Sequence, residues 1–174
     1  KDSDTDDDGL NDGVETSNCI YGENDDECTS LTNDDSDYDG VNDYDEIFNC
    51  IYGEADDECT NPREWDSDDD ALNDGDEINI RGTDPMDNDT DDDGLDDGEE
   101  VNLGTNLTNS DTDGDSLSDY VEVNNCIYGQ NNTGSDCTDP TSSDSDIDGI
   151  NDGLEVSLTG TDPMDDDSDG DRLL

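Results

Sequence analysis

Residues 89–105 read Asp-Thr-Asp-Asp-Asp-Gly-Leu-Asp-Asp-Gly-Glu-Glu-Val-Asn-Leu-Gly-Thr, and they set the frame for the whole chain. Asp89, Asp91 and Asp93 alternate, Gly94 follows, then Leu95, Asp97 and Glu100. This spacing matters because a hard cation takes six to eight oxygens. Alternate carboxylates, a glycine turn, a backbone carbonyl at the seventh position and a distant glutamate can supply that shell from one short segment. The pattern is Asp-x-Asp-x-Asp-Gly-x-x-Asp-x-x-Glu, and the frame occurs six times.

The other copies run in order through the chain. The first holds Asp4, Asp6, Asp8, Leu10, Asp12 and Glu15, and the second Asp35, Asp37, Asp39, Val41, Asp43 and Glu46. The third holds Asp66, Asp68, Asp70, Leu72, Asp74 and Glu77, with Ala71 in the glycine slot. The fifth holds Asp111, Asp113, Asp115, Leu117, Asp119 and Glu122, with Ser116 in that slot. The sixth holds Asp144, Asp146, Asp148, Ile150, Asp152 and Glu155, and a seventh begins at Asp167, Asp169 and Asp171. All of these are candidate calcium ligands, the seventh-position residue through its carbonyl. Chance alone predicts about 0.05 matches to such a frame in so acidic a chain, so the repetition is a signal. Ala71 and Ser116 lack glycine's freedom at the turn, which predicts weaker or distorted third and fifth loops.

Composition agrees. Of 174 residues 58 are acidic and 4 basic, giving a formal charge of -54, and 25% are hydrophobic. Such a chain cannot bury enough apolar surface to offset its conformational entropy, so alone it should be disordered. Cations and disulfides must supply the cohesion. Nucleic acid and anionic membrane surfaces are excluded as partners for want of Lys and Arg. No apolar run is long enough to span a bilayer. The absence of His argues against zinc and against His-based catalysis, and no nucleophile or pocket signature suggests an enzyme. The chain opens on Lys1, which reads as a mature chain or a piece of a larger one.

Between loops a second register appears. A Thr stands six residues before each following loop: Thr29, Thr60, Thr83, Thr105, Thr138 and Thr161. Short linkers carry Gly82-Thr83-Asp84-Pro85 and Gly160-Thr161-Asp162-Pro163. In long linkers a Cys replaces the glycine, preceded by an Asn-Cys-Ile-Tyr-Gly insertion at Asn18, Asn49 and Asn125. The six Cys fit an oxidising, extracellular setting. Treating each insertion as a closed loop pairs Cys19 with Cys28, Cys50 with Cys59 and Cys126 with Cys137, among fifteen formal pairings. Two residues before each loop lies another oxygen-bearing side chain, Asp2, Asn33, Glu64, Asp87, Asn109, Ser142 or Asp165, enough for a second ion per repeat. Sequons at Asn88, Asn106 and Asn131 are glycosylation candidates, those at Asn106 and Asn131 lying in linkers.

The expected fold is a mostly irregular, calcium-stapled tandem repeat with short helical turns, no large hydrophobic core, and one continuous array over residues 1–174. The combination of loop, Glu-Val turn and Gly-Thr-Asp-Pro resembles the thrombospondin type 3 repeat in its bacterial and archaeal form. That resemblance implies calcium held along a run of repeats in secreted or surface proteins, with the loop Asp and Glu residues as ligands. Animal relatives often bridge successive repeats, which departs from local Cys pairing. A calcium-rigidified rod, spacer or fibre segment is the expected function, with self-association or continuation into neighbouring repeats. Alternatives are an EF-hand or dockerin-like binding module and a disordered acidic calcium buffer. The linkers leave no room for the helix pair of an EF-hand.

Overall fold

The computed structural model describes residues 3–17, 28–49, 59–125 and 137–168. Among them there is no strand, and the regular elements are short helices that follow the loops. These are Asp12–Ser17, Asp74–Asp76, Asp97–Leu103 and Asp152–Leu154, joined or replaced by single π-helical turns at Asp45–Asn49, Glu77–Arg81, Val121–Asn125 and Glu155–Thr159. None is long and apolar enough to cross a membrane among the described residues.

Each turn starts where the loop's ninth-position Asp sits, and three of them end at a left-handed glycine. Gly82, Gly104 and Gly160 have φ of 79°, 87° and 73° and donate their N–H to the carbonyls of Glu77, Glu100 and Glu155. These caps satisfy a carbonyl that would otherwise be orphaned at the helix end. The linker then makes an Asx-Pro turn. Asp84 accepts N–H bonds from Met86 at its side chain (3.1 Å) and from Asp87 at its carbonyl (3.0 Å), with Pro85 supplying the preset φ between them. Asp139-Pro140 and Asp162-Pro163 repeat this turn, and Pro62, Pro85, Pro140 and Pro163 are all buried. Leu107 takes the proline's place after Thr105 and is buried too.

The described apolar core is small. It consists of Leu10, Val41, Leu72, Leu95 and Leu107, four of them seventh-position residues. Buried Asp and Glu outnumber them, and Asp43, Asp74, Asp97, Asp119 and Asp152 have no exposed surface. Ordinary domains bury aliphatics and expose carboxylates. The inversion means that burial alone cannot hold this fold.

The chain divides into two compact units, Lys1–Asn88 and Asp89–Leu174. The first contains the loops beginning at residues 4, 35 and 66, and the second those beginning at 89, 111 and 144. Inside each unit, successive loops touch in two alternating ways. The Tyr44 ring lies over Gly9 of the preceding loop, where an added Cβ would come within 3.0 Å of it, and Tyr120 lies over Gly94 in the same manner. The next junction is tighter. Gly75 and Gly153 press against the backbone carbonyls of Asp39 and Asp115, where an added Cβ would lie 2.1 Å from the oxygen. These tenth-position residues, Tyr in one loop and Gly in the next, decide the kind of junction.

Candidate metal centre

The loop folds because its own carboxylates capture its backbone. In the loop from Asp35, Oδ1 of Asp35 accepts the Tyr38 N–H (2.7 Å) and Oδ2 accepts the Gly40 N–H (3.1 Å). Asp37 Oδ1 accepts from Asp39 N–H (3.2 Å), and Asp39 Oδ1 accepts from Val41 N–H (2.7 Å). The loop from Asp144 repeats each of these bonds on Ile147, Gly149, Asp148 and Ile150. Positions one, three and five are thereby turned to a common centre. Ligand oxygens of Asp4, Asp6 and Asp8 lie within 4.8 Å of one another, and so do those of Asp35, Asp37 and Asp39, of Asp66, Asp68 and Asp70, and of Asp89, Asp91 and Asp93.

Two residues per loop are left-handed, at positions four and six. Gly9, Gly40, Gly94 and Gly149 have φ between 96° and 105°, whereas Ala71 and Ser116 hold 79° and 86°. Both non-glycine loops keep the bond from position six to the first Asp, at 3.0 Å each. They reach the same geometry at the cost of left-handed backbone strain, about 1–3 kcal/mol per residue.

Position nine is anchored inside its own loop. Each oxygen of Asp74 accepts one hydrogen bond within that loop, from Ser67 N–H (2.8 Å) and Ser67 Oγ (2.5 Å). Asp43, Asp119 and Asp152 are held identically by Ser36, Thr112 and Ser145, and Asp97 by Thr90. The constant Ser or Thr at position two therefore exists to fix this Asp. The linker Thr is equally specific in its contact. Thr83 and Thr105 donate to Oε1 of Glu77 and Glu100, at 3.1 and 3.0 Å. The side chains two residues before the loop fix its entry. Asn33 and Asn109 donate to the carbonyls of Asp35 and Asp111, and Ser142 to that of Asp144.

Several of the remaining oxygens are buried without a well-formed hydrogen bond. Oε2 of Glu77 and of Glu100, on side chains with no exposed surface, lies buried without a hydrogen-bond donor. The same holds for Oδ2 of Asp37, Asp68, Asp91, Asp113 and Asp146 and both oxygens of Asp6. Orphaned buried carboxylate oxygens are costly, and a cation removes the cost. Burial, followed by repulsion from neighbouring carboxylates, pushes Glu46 and Glu77 up to about 9. Burial, the Thr hydrogen bond and neighbouring Asp carboxylates leave Glu100 at about 7. An all-oxygen, mostly anionic donor set fits calcium or another hard divalent ion, and nothing soft is present among the described ligands.

Of the seventh loop, Asp167 lies within the described residues and Asp169 and Asp171 outside them. Cys28, Cys59 and Cys137 are not free thiols, while their expected partners Cys19, Cys50 and Cys126 lie outside the described residues, as does Asn131. Asn88 and Asn106 are both exposed.

Residues 66–88, 89–106, 111–125 and 144–166 match the family model of the bacterial TSP3 repeat. These are bacterial TSP3 repeats. Each match begins on the first Asp of a loop, so the family unit is the loop together with its helical turn and linker. The loops from Asp4 and Asp35 lie outside the matched stretches, yet they bring their carboxylates together in the same way. No curated protein and no solved structure matches the chain. The TSP3 repeat is a structural calcium-binding repeat, and the chain is accordingly a calcium-binding repeat protein.

Proposed function

We propose that the chain is an extracellular structural protein, a rod, spacer or fibre segment made stiff by calcium. The observation that carries this reading is the inverted interior, in which oriented carboxylates occupy the space that a hydrophobic core fills elsewhere. Ions in those loops would neutralise the interior and fix each repeat against its neighbour, as in quasi-one-dimensional arrays. At least one ion per loop is implied, bound by the Asp residues at positions one, three and five, the carbonyl at seven and the Glu at twelve. Calcium near millimolar, as outside cells, suits such sites. Magnesium substitutes poorly because it demands a rigid octahedron and keeps its water.

Local bridges Cys19–Cys28, Cys50–Cys59 and Cys126–Cys137 belong to the same reading. They close the insertions, so that the linker Thr comes back to its Glu. Thr60 and Thr138 still hydrogen-bond Glu46 and Glu122 across those insertions. Self-association end to end is part of the proposal, through repeats that continue the array.

A dockerin-like module would need one or two specialised loops, whereas here five loops share one hydrogen-bond scheme and the first keeps its Thr5–Asp12 and Leu10–Asp8 bonds. A disordered buffer would need neither the Thr contacts nor the Asx-Pro turns. Negative-stain images of the calcium-loaded chain test the proposal. Elongated particles or fibres are expected, and compact globular particles would sink it.

A further inference from the structure

We propose that the ninth-position aspartate of one loop completes the ion site of the loop before it, so that each such ion is shared by two repeats; Asp74, with Asp39 and Glu46, is the clearest case. The inference rests on the loops' taking calcium, and it reassigns a ligand that the loop pattern places in its own repeat.

Oxygens of Asp39, Glu46 and Asp74 lie within 4.8 Å of one another, although Asp74 belongs to the following loop. Asp39, Glu46 and Asp74 are 9%, 2% and 0% exposed, so solvent does not screen their mutual repulsion. Gly75 N–H lies near the Asp39 carboxylate, but Asp39 Oδ2 receives no well-formed hydrogen bond and is buried. That buried oxygen keeps acceptor capacity that no well-placed donor fills. A divalent cation answers both the repulsion and the unused acceptor.

The linker builds this arrangement link by link. Thr60 hydrogen-bonds Glu46. The next residue, Asn61, donates its N–H to Ser67 Oγ (3.2 Å), and Ser67 Oγ donates to Asp74 Oδ2 (2.5 Å). The chain of contacts leaves the glutamate of one loop and returns to the same place through the aspartate of the next. Both oxygens of Asp74 already hold one hydrogen bond each, which fixes the carboxylate plane and leaves a lone pair on each oxygen for a metal.

The relation recurs at other junctions within each unit. Asp43 and Asp8 repel each other, as do Asp119 and Asp93, and Asp152 and Asp115. In the second unit the register is pinned by backbone bonds, Tyr120 N–H to Asp93 Oδ2 (2.9 Å) and Gly153 N–H to Asp115 Oδ2 (2.6 Å). The fifth-position carboxylate thus faces the start of the next loop's helical turn each time.

Carboxyl and amide NMR of the full chain during calcium titration tests the assignment. Gly40 N–H, bonded to Asp35, reports the second loop, and Ala71 N–H, bonded to Asp66, reports the third. In Asp37→Asn, the calcium response of the Asp74 carboxyl carbon should move to higher calcium together with that of Gly40, by about tenfold or more, while Ala71 still responds. In Asp68→Asn, Ala71 should be displaced and Asp74 should still track Gly40. Asp74 following Ala71 in either variant overturns the shared site, and one folded variant is enough to decide. A wild-type chain in which no amide responds would instead remove the calcium reading beneath it.

Discussion

Gly75→Ala and Gly153→Ala should each destabilise the calcium-loaded chain strongly. In an ordinary helical turn Gly→Ala stabilises by up to about 1 kcal/mol, because alanine loses less conformational freedom on folding. Here the sign should reverse. The added Cβ would stand 2.1 Å from a backbone carbonyl oxygen, that of Asp39 or Asp115, and a backbone carbonyl cannot swing aside as a flexible side chain can. Overpacking of this kind typically costs about 1–3 kcal/mol, and the parting of two loops that share buried carboxylates adds to it. Gly13 provides the internal comparison. It also sits at position ten of its loop, but its added Cβ would meet only the Asn11 Oδ1, at 3.1 Å. Thermal unfolding in saturating calcium should show Gly13→Ala near wild type and the other two well below it. Equal midpoints for all three would mean that the close junction does not contribute to stability.

Glu77→Gln should act with opposite sign in the presence and absence of calcium. Without calcium, burial and the carboxylates of Asp68 and Asp70 raise Glu77 to about 9 from its usual 4.5. A carboxylate raised in the folded state binds more protons folded than unfolded, so stability falls as pH climbs from 4.5 towards 9. At neutral pH this amounts to a penalty on the order of 3 kcal/mol, and glutamine removes it. The metal-free variant should therefore keep its helical signal to higher pH than wild type. With calcium present, the same change removes a charged ligand, and the affinity of the third loop should fall about tenfold or more. Calcium titrations and metal-free pH titrations of the two proteins give both signs directly. A variant weaker under both conditions would show that Glu77 serves only as packing.

The loops were legible in the sequence because their chemistry is local. Alternation of Asp4, Asp6 and Asp8 and its later copies places carboxylates together whatever the rest of the chain does, and the bonds to positions four, five, six and seven lie inside the same twelve residues. The mostly irregular backbone was legible for the complementary reason, that no stretch carried sustained apolar periodicity. The linker Thr was visible as a fixed register, but not its contact with Glu77 or Glu100, which depends on how the helical turn swings the glutamate. The constancy of Ser or Thr at position two and of Asp at position nine was visible as two separate facts. Only the fold shows Ser67 holding Asp74.

The junctions went unread although their signal was present. At position ten the six loops hold Gly13, Tyr44, Gly75, Gly98, Tyr120 and Gly153, and no other residue type. A position restricted to the smallest side chain and one large ring points to close approach in some loops and ring packing in others. Position four gave no such signal. Asp7, Tyr38, Asp69, Asp92 and Ile147 adopt left-handed backbone there with φ from 62° to 68°; Tyr38 and Ile147, whose types disfavour it, donate their N–H to Asp35 and Asp144.

The central claim is that bound calcium replaces the hydrophobic core. Far-ultraviolet circular dichroism of chelator-treated protein, followed as calcium is added back, tests it most directly. The expected result is a cooperative gain of helical signal complete within millimolar calcium, which magnesium at the same concentration fails to reproduce. A spectrum unchanged across that range would contradict the claim, because a chain carrying a formal charge of -54 would then be holding its fold without the ions.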